Sequence, residues 1–252
     1  MSDELFASWP PGGLDETLTA LQQKYLPSLQ IFDLEGLLLD PLIGRAAMVS
    51  SFGVESACLL HIITRIIPEI DVIFLDTGKH FSETLSYRDQ LRDHIGLNIV
   101  NVTPDDTLIQ AEDPLGMLHK SAPHACCMIR KTVPLQDILS KYNSWISGRK
   151  RYQGDSRANI SIIERDAKHI KLNPLALWSK KDIHIYMSEH GLPLHPLVKK
   201  EYFSIGCKPC TQPTACGSNE RAGRWADHPE KTECGIHLGP EGNFVRALKV
   251  LN

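Results

Sequence analysis

Four of the seven cysteines stand in two tight pairs, Cys126-Cys127 and Cys207-Lys-Pro-Cys210. A Cys-x-x-Cys spacing lets two thiolates reach one metal centre, and the adjacent pair upstream makes four available to a single site. Any fold for this chain therefore has to bring two distant segments together. Four thiolates suit either zinc or an iron–sulfur cluster, and the spacing rules leave both open. Cys234 stands apart, between Glu233 and Gly235, downstream of the basic Arg221-Ala-Gly-Arg224. It reads as a nucleophile, for which the rest of the chain supplies a substrate. Cys58 reads as a small buried apolar residue and Cys216 as a free thiol.

The second constraint is an alternation. A short apolar run, Ala46–Val49, leads into Ser50-Ser-Phe-Gly-Val-Glu-Ser56, and an apolar stretch follows from Ala57 to Ile67, closed by Pro68. This predicts strand, tight loop and helix. Val72–Leu75, ending in Asp76-Thr77-Gly78, predicts a second strand; a helix over about 81–95 and a third strand over 97–102 continue the series. Such a series predicts an α/β fold with a mostly parallel twisted sheet flanked by helices. Ligands in these sheets sit beyond the carboxyl ends of the strands, where Ser50–Ser56 and Asp76–Gly78 fall.

Elsewhere the signals are mixed. Residues 14–39 read as a helical arm interrupted at Pro27, with Leu14, Leu18, Leu21, Leu26 and Leu29 as its packing face. Residues 103–123 carry three prolines and little periodicity, so a loop is expected before Cys126. Pro134 is expected to kink or break the helix that begins there. Ser144–Ser147 predicts a fourth strand, running into a segment where Arg149, Lys150, Arg151 and Arg157 lie within nine positions. Residues 160–163 and 168–172 read as short strands. Ser179-Lys-Lys-Asp182 predicts a capped helix ending at Gly191.

Composition narrows the class. A net charge of −3 argues against bulk nucleic-acid binding without forbidding a local anion site. No apolar run is long enough for a membrane span, and the acidic start shows no export signal. An odd cysteine count without such a signal points to a reducing compartment, and cytoplasmic localisation is expected.

The small residues of the Ser50–Ser56 loop let backbone N–H groups approach an anion at the positive end of the following helix. A plain strand-to-helix turn is the competing reading. Glu55 is unexpected beside a phosphate, and Lys79, Arg149 and Arg151 are the expected counter-charges. The loop resembles the Ser-Gly-Gly-x-Asp-Ser loop of the ATP pyrophosphatases, with Val54 where they carry Lys. A nucleotide with one phosphate and another group fits that change, and it speaks against a tRNA-thiolating enzyme of that class.

The remaining motifs resemble the assimilatory adenylyl-sulfate reductases, the iron–sulfur branch of the phosphoadenylyl-sulfate reductase family. They are Ser50-Ser-Phe-Gly, Leu75-Asp-Thr-Gly78, Cys126-Cys127-x-x-Arg-Lys131, Ser147-Gly148-Arg149, Asn173-Pro-Leu, Ile205-Gly-Cys-x-Pro-Cys-Thr211, Arg221-Ala-Gly-Arg224-Trp225 and Glu233-Cys-Gly-Ile-His237. In order, they cover roughly residues 45–240. The resemblance implies an adenine-nucleotide alpha-hydrolase-like domain over 41–252 with a cysteine-rich C-terminal lobe, preceded by a helical arm over 1–40. The segment 217–252, carrying the catalytic Cys234, is expected to be mobile. It also implies one [4Fe-4S] cluster per chain on Cys126, Cys127, Cys207 and Cys210. The implied reaction is thioredoxin- or glutaredoxin-dependent reduction of adenosine 5′-phosphosulfate to sulfite and AMP through an S-sulfocysteine, serving sulfate assimilation and cysteine biosynthesis. The alternative substrate is 3′-phosphoadenosine 5′-phosphosulfate. Substrate contacts are expected from Ser50, Ser51, Phe52, Gly53, Glu55, Ser56, Leu75, Thr77, Gly78, Lys131, Gly148, Arg149, Arg157, Arg221, Arg224 and His237. Arg151 joins Arg149 and Arg157 in a second anion locus. No nucleic acid or membrane partner is expected, and a homo-oligomer stays open.

Overall fold

The computed structural model describes residues 9, 11–27, 33–215, 219–231, 233, 235 and 236. Cys216, Cys234 and His237 lie outside the described residues, as does the first part of the N-terminal arm.

Two helices, α1 (Gly13–Tyr25) and α2 (Leu34–Leu38), precede the sheet. The sheet then alternates with helices: β1 (Ala46–Val49), α3 (Ser56–Ile66), β2 (Asp71–Leu75), α4 (Ser82–Ile95) and β3 (Asn98–Val102). Short helices α5 (Asp106–Glu112), α6 (Leu118–Ser121) and α7 (Pro123–Cys127) follow, then a π-turn at Met128–Thr132 and α8 (Val133–Leu139). The chain re-enters the sheet at β4 (Ser144–Ser147), turns back through the hairpin β5 (Ile163–Asp166) and β6 (His169–Leu172), and continues through α9 (Lys180–Glu189) into short 3-10 turns at Pro196–Lys200 and Lys208–Cys210. Strand order is β3-β2-β1-β4-β6-β5, all parallel except the antiparallel edge strand β5.

Period two explains how the strands are buried on both faces. Met48, Val72, Phe74 and Ile146 point into the larger core with Leu59, Leu60 and Ile63 of α3 and Tyr87 and Leu91 of α4. Their neighbours Ala47, Ile73, Leu75 and Trp145 point the other way, onto Leu135 and Leu139 of α8. Leu21 of α1 and Leu37 of α2 join the larger core.

Two sequence expectations are corrected. Residues 103–123 form three short helices rather than a loop. Each is too short to show a repeating apolar face, and the first begins at a local cue, the Asp105 side chain accepting from Leu108 N–H at 2.8 Å. Pro134 does not break the helix either. It stands in the first turn of α8, where a missing N–H costs little, and the irregularity is the π-turn just before it. The capping box at Ser179 and Asp182 is present as expected.

Beneath α4, His195 is almost fully buried, with Nε2 3.2 Å from Thr84 Oγ1 and Nδ1 accepting from Leu197 N–H at 3.1 Å. Burial lowers its pKa from 6.5 to about 4. The unfolded chain therefore binds the extra proton first. Stability should be complete above pH 6.5 and fall as pH drops towards 4, by about 3 kcal/mol in all. Denaturant unfolding across that window should show this slope, and His195→Gln should flatten it.

Candidate functional site

Strand order reverses between β1 and β4, because the chain leaves β1 towards β2 and later returns on the other side. A crevice opens beyond the carboxyl ends of strands at such a switch point. A cavity of about 210 Å³ occupies it, lined by Ser50, Ser51, Gly53, Glu55 and Ser56 after β1, Leu75 at the end of β2, and Gly148 and Arg149 after β4. Lys131 and Arg157 also reach it, and the C-terminal lobe closes it with Arg221, Arg224, Trp225, Glu233 and Ile236.

A second, smaller cavity is lined by Cys126, Cys127, Cys207 and Cys210 together with Lys79, Arg130, Lys131, Arg224 and Trp225. The two distant cysteine pairs are thus brought together. The lobe is held there by backbone pairing: Lys208 N–H donates to Lys79 O at 2.7 Å, and Trp225 N–H to Cys210 O at 3.0 Å. Lys131, Arg224 and Trp225 line both cavities. Gly206 leaves room for the Arg224 guanidinium, whose Nη2 would lie 2.3 Å from a Cβ there.

The thiols respond to burial and to one another. Burial, then Cys127 and Cys207, push the Cys126 thiol up to about 12. Burial and the same kind of crowding push Cys210 up to about 11. Burial also opposes ionisation of Cys207, but Lys131, the contact with Thr77 Oγ1 at 3.3 Å and Arg224 together pull its pKa below the usual value. Among the described residues, no three His, Cys, Asp or Glu side chains converge on a single metal ion.

Not every expected contact residue faces the larger cavity. Phe52 adopts φ +49° and buries its ring in the core, edge-on to Phe74, so only its backbone borders the loop. Thr77 and Gly78 line neither cavity; Thr77 Oγ1 touches Cys207 Sγ at 3.3 Å and the Thr77 carbonyl accepts from Arg130 Nη1 at 3.0 Å, behind the cysteine cavity's wall. Arg151 is exposed and its Nε donates to Ile160 O at 3.0 Å, leaving Arg149, Lys150 and Arg157 as the cavity's cations from that segment.

The counter-charge for Glu55 is also corrected. Lys79 donates to Gly116 O, and Arg149 pairs with Glu164. Glu55 instead accepts from Lys150 Nζ at 2.8 Å, Tyr152 OH at 2.6 Å and Gln153 Nε2 at 3.2 Å. Burial alone would raise its pKa, but Lys150 and Tyr152 hold it below the ordinary carboxylate value. Neighbouring side chains on one short turn thus neutralise it, and only their sequence proximity to Arg149 hinted at this.

Residues 45–213 match the profile of the phosphoadenosine phosphosulfate reductase domain. The chain is similar to the adenosine 5′-phosphosulfate reductase of Mesorhizobium japonicum, with 50% identity over 193 residues covering 76% of each protein. It is 48% identical over 196 residues to the adenosine 5′-phosphosulfate reductase of a Chelativorans strain, covering 77% of this chain and 80% of that one. The protein of the same description from Mycobacteroides abscessus is 38% identical over 227 residues, 88% of this chain and 95% of that one. Among solved structures, a phosphoadenylyl-sulfate reductase from Candida auris in a phosphate complex superposes with a TM-score of 0.64, over 79% of this chain and 98% of that one. At 20% identity that likeness concerns the fold alone.

Proposed function

The chain belongs to the phosphoadenosine phosphosulfate reductase family, and on that premise we infer that it reduces adenosine 5′-phosphosulfate to sulfite and AMP in sulfate assimilation. The observation that carries this reading is the sharing of Lys131 and Arg224 between an anion-ready cavity at the switch point and a four-thiol cavity beside it.

The Ser50–Ser56 turn supplies backbone donors and the α3 N-terminus to the phosphate. Leu75 offers an apolar surface to the base. Lys131, Arg149, Arg157, Arg221 and Arg224 offset the charge of the phosphosulfate, which would otherwise repel an attacking thiolate. Cys234 lies outside the described residues, but Glu233 and Ile236 on either side of it line the cavity. Its thiolate attacks the sulfate sulfur. An S–S bond forms, the sulfur–oxygen bond to phosphate breaks, and AMP leaves with the electron pair. A thioredoxin thiolate then attacks Cys234 Sγ and expels sulfite, and its second thiol closes the disulfide. The dithiol loses two electrons and the sulfate sulfur gains them. Glutaredoxin would serve by the same chemistry, and the reaction suits the cytoplasm.

The four-thiol cavity fits a [4Fe-4S] cluster held by Cys126, Cys127, Cys207 and Cys210, one per chain. The donors are all sulfur, the ligand type of such clusters, and they stand close enough to raise one another's pKa. Arg130 Nε and Arg224 Nε are buried without an acceptor among the described residues, which suits an electron-rich sulfur group between them. Bound there, the cluster supplies an ordering centre for the Lys131 segment and a charge that polarises the neighbouring cavity.

The test is anaerobic purification followed by a thioredoxin-coupled assay. Iron and sulfide near four per chain are expected, with sulfite and AMP released in equal amounts from adenosine 5′-phosphosulfate. Faster turnover of 3′-phosphoadenosine 5′-phosphosulfate under the same conditions would reassign the substrate. A colourless, metal-free chain that turns over at full rate would remove the cluster from the account.

A further inference from the structure

One carboxylate in the substrate cavity has no part in the reaction above. Glu233 Oε1 accepts from Arg157 Nε at 2.6 Å and Oε2 from Arg157 Nη2 at 2.8 Å, a forked pair. Arg221 Nη2 approaches Oε2 at 3.3 Å, and Ser156 Oγ approaches Oε1 at 3.4 Å. The remaining Arg157 nitrogen, Nη1, donates to Gln153 Oε1 at 2.6 Å. Burial alone would raise the Glu233 pKa, but Arg157, Arg221 and Arg149 hold it below the ordinary value, so the group is an anion at neutral pH.

Resting on the reading of the cavity as a phosphosulfate site, we propose that Glu233 is the anion the substrate has to displace, holding Arg157 and Arg221 until a nucleotide's oxyanion takes its place. Two physical points carry this. A carboxylate and a phosphate or sulfate group accept the same parallel pair of guanidinium N–H donors, so the exchange conserves geometry. Glu233 and a phosphosulfate on the same arginines would face each other as like charges inside a shielded cavity, so replacement is favoured over coexistence.

The consequence is a tax on affinity. Nucleotide binds only to the fraction of molecules in which the arginines are released, so the apparent dissociation constant is weakened by that fraction. Glu233 is thereby a determinant of how strongly the site holds substrate and product.

The experiment compares the full-length, cluster-loaded wild type with Glu233→Gln and Glu233→Asp. AMP is titrated calorimetrically without reductant, and KM and kcat are measured with adenosine 5′-phosphosulfate and thioredoxin. Glu233→Gln should bind AMP roughly tenfold tighter and lower KM by a similar factor, because the competitor is neutral. The shortened but charged Glu233→Asp should tighten binding less. A merely structural Glu233 would leave AMP affinity unchanged or weaken it on removal, and that result overturns the proposal. Should Glu233→Gln not fold, tighter AMP binding by Glu233→Asp supports the proposal and unchanged or weaker binding overturns it. A wild type that neither binds AMP nor releases sulfite would instead overturn the functional reading.

Discussion

Replacing Cys234 with Ser should reduce sulfite release by on the order of 10⁴-fold or more while leaving AMP binding close to wild type. The serine hydroxyl is almost wholly protonated at neutral pH. An oxygen attack would also give a sulfate ester, which a thioredoxin thiolate has no S–S bond to cleave. The remaining cavity, with Lys131, Arg149, Arg157, Arg221 and Arg224, contains none of the lost chemistry and all of the anion recognition. Mass spectrometry of wild type incubated with adenosine 5′-phosphosulfate alone should show an added SO₃ on Cys234, absent from the variant. Turnover surviving in Cys234→Ser would mean that another group performs the first step.

Lys171→Met should cost about 3 kcal/mol of stability, since breaking a buried charge cluster strands its remaining members. Lys171 is 1% exposed, with Nζ 3.6 Å from Glu164, 3.9 Å from Asp166 and 4.4 Å from the centroid of the Trp145 ring. Asp166 also accepts from Trp145 Nε1 at 3.0 Å, and burial already raises its pKa against the pull of Lys171. Without the ammonium group its carboxyl would be driven further towards the neutral form. For a domain of this size the loss corresponds to a fall in Tm of roughly 10 °C. The effect reaches the cavity through Glu164, which pairs with both Lys171 and Arg149. With Lys171 gone, Glu164 has only Arg149 to hold, so KM for the nucleotide should rise more than kcat falls. A Tm within two degrees of wild type would show that the cluster carries no net stability.

Much of the scaffold was legible because β1, β2 and β3 read as short apolar runs alternating with the helix-length segments α3 and α4. Met48 against Ala47 and Phe74 against Ile73 show the period-two pattern directly, one neighbour facing each core. The helices over 106–127 were not legible, since four to seven residues carry no helical period, and only the first of them starts at a side-chain cap, Asp105. The cysteine pairing at one cavity followed from residue type and spacing, which survive without knowledge of the fold. Polar partnerships did not. Glu55 with Lys150, and Arg149 with Glu164, depend on side-chain direction at the end of β4 and across the β5–β6 hairpin, which no linear pattern encodes. Glu233 was visible as the residue before Cys234, but its pairing with Arg157 joins positions 76 apart.

The order of the elements along the chain also dictates when the protein can be completed. All six strands among the described residues are translated before Cys207, so the sheet's residues are complete while the second pair of thiols is still unmade. Domains assemble as they emerge from the ribosome, at about 5–20 residues per second. A cluster of the kind proposed would therefore be delivered last, once Cys207 and Cys210 join Cys126 and Cys127. A chain ending shortly after α9 would carry every described strand but only half of the proposed thiol set.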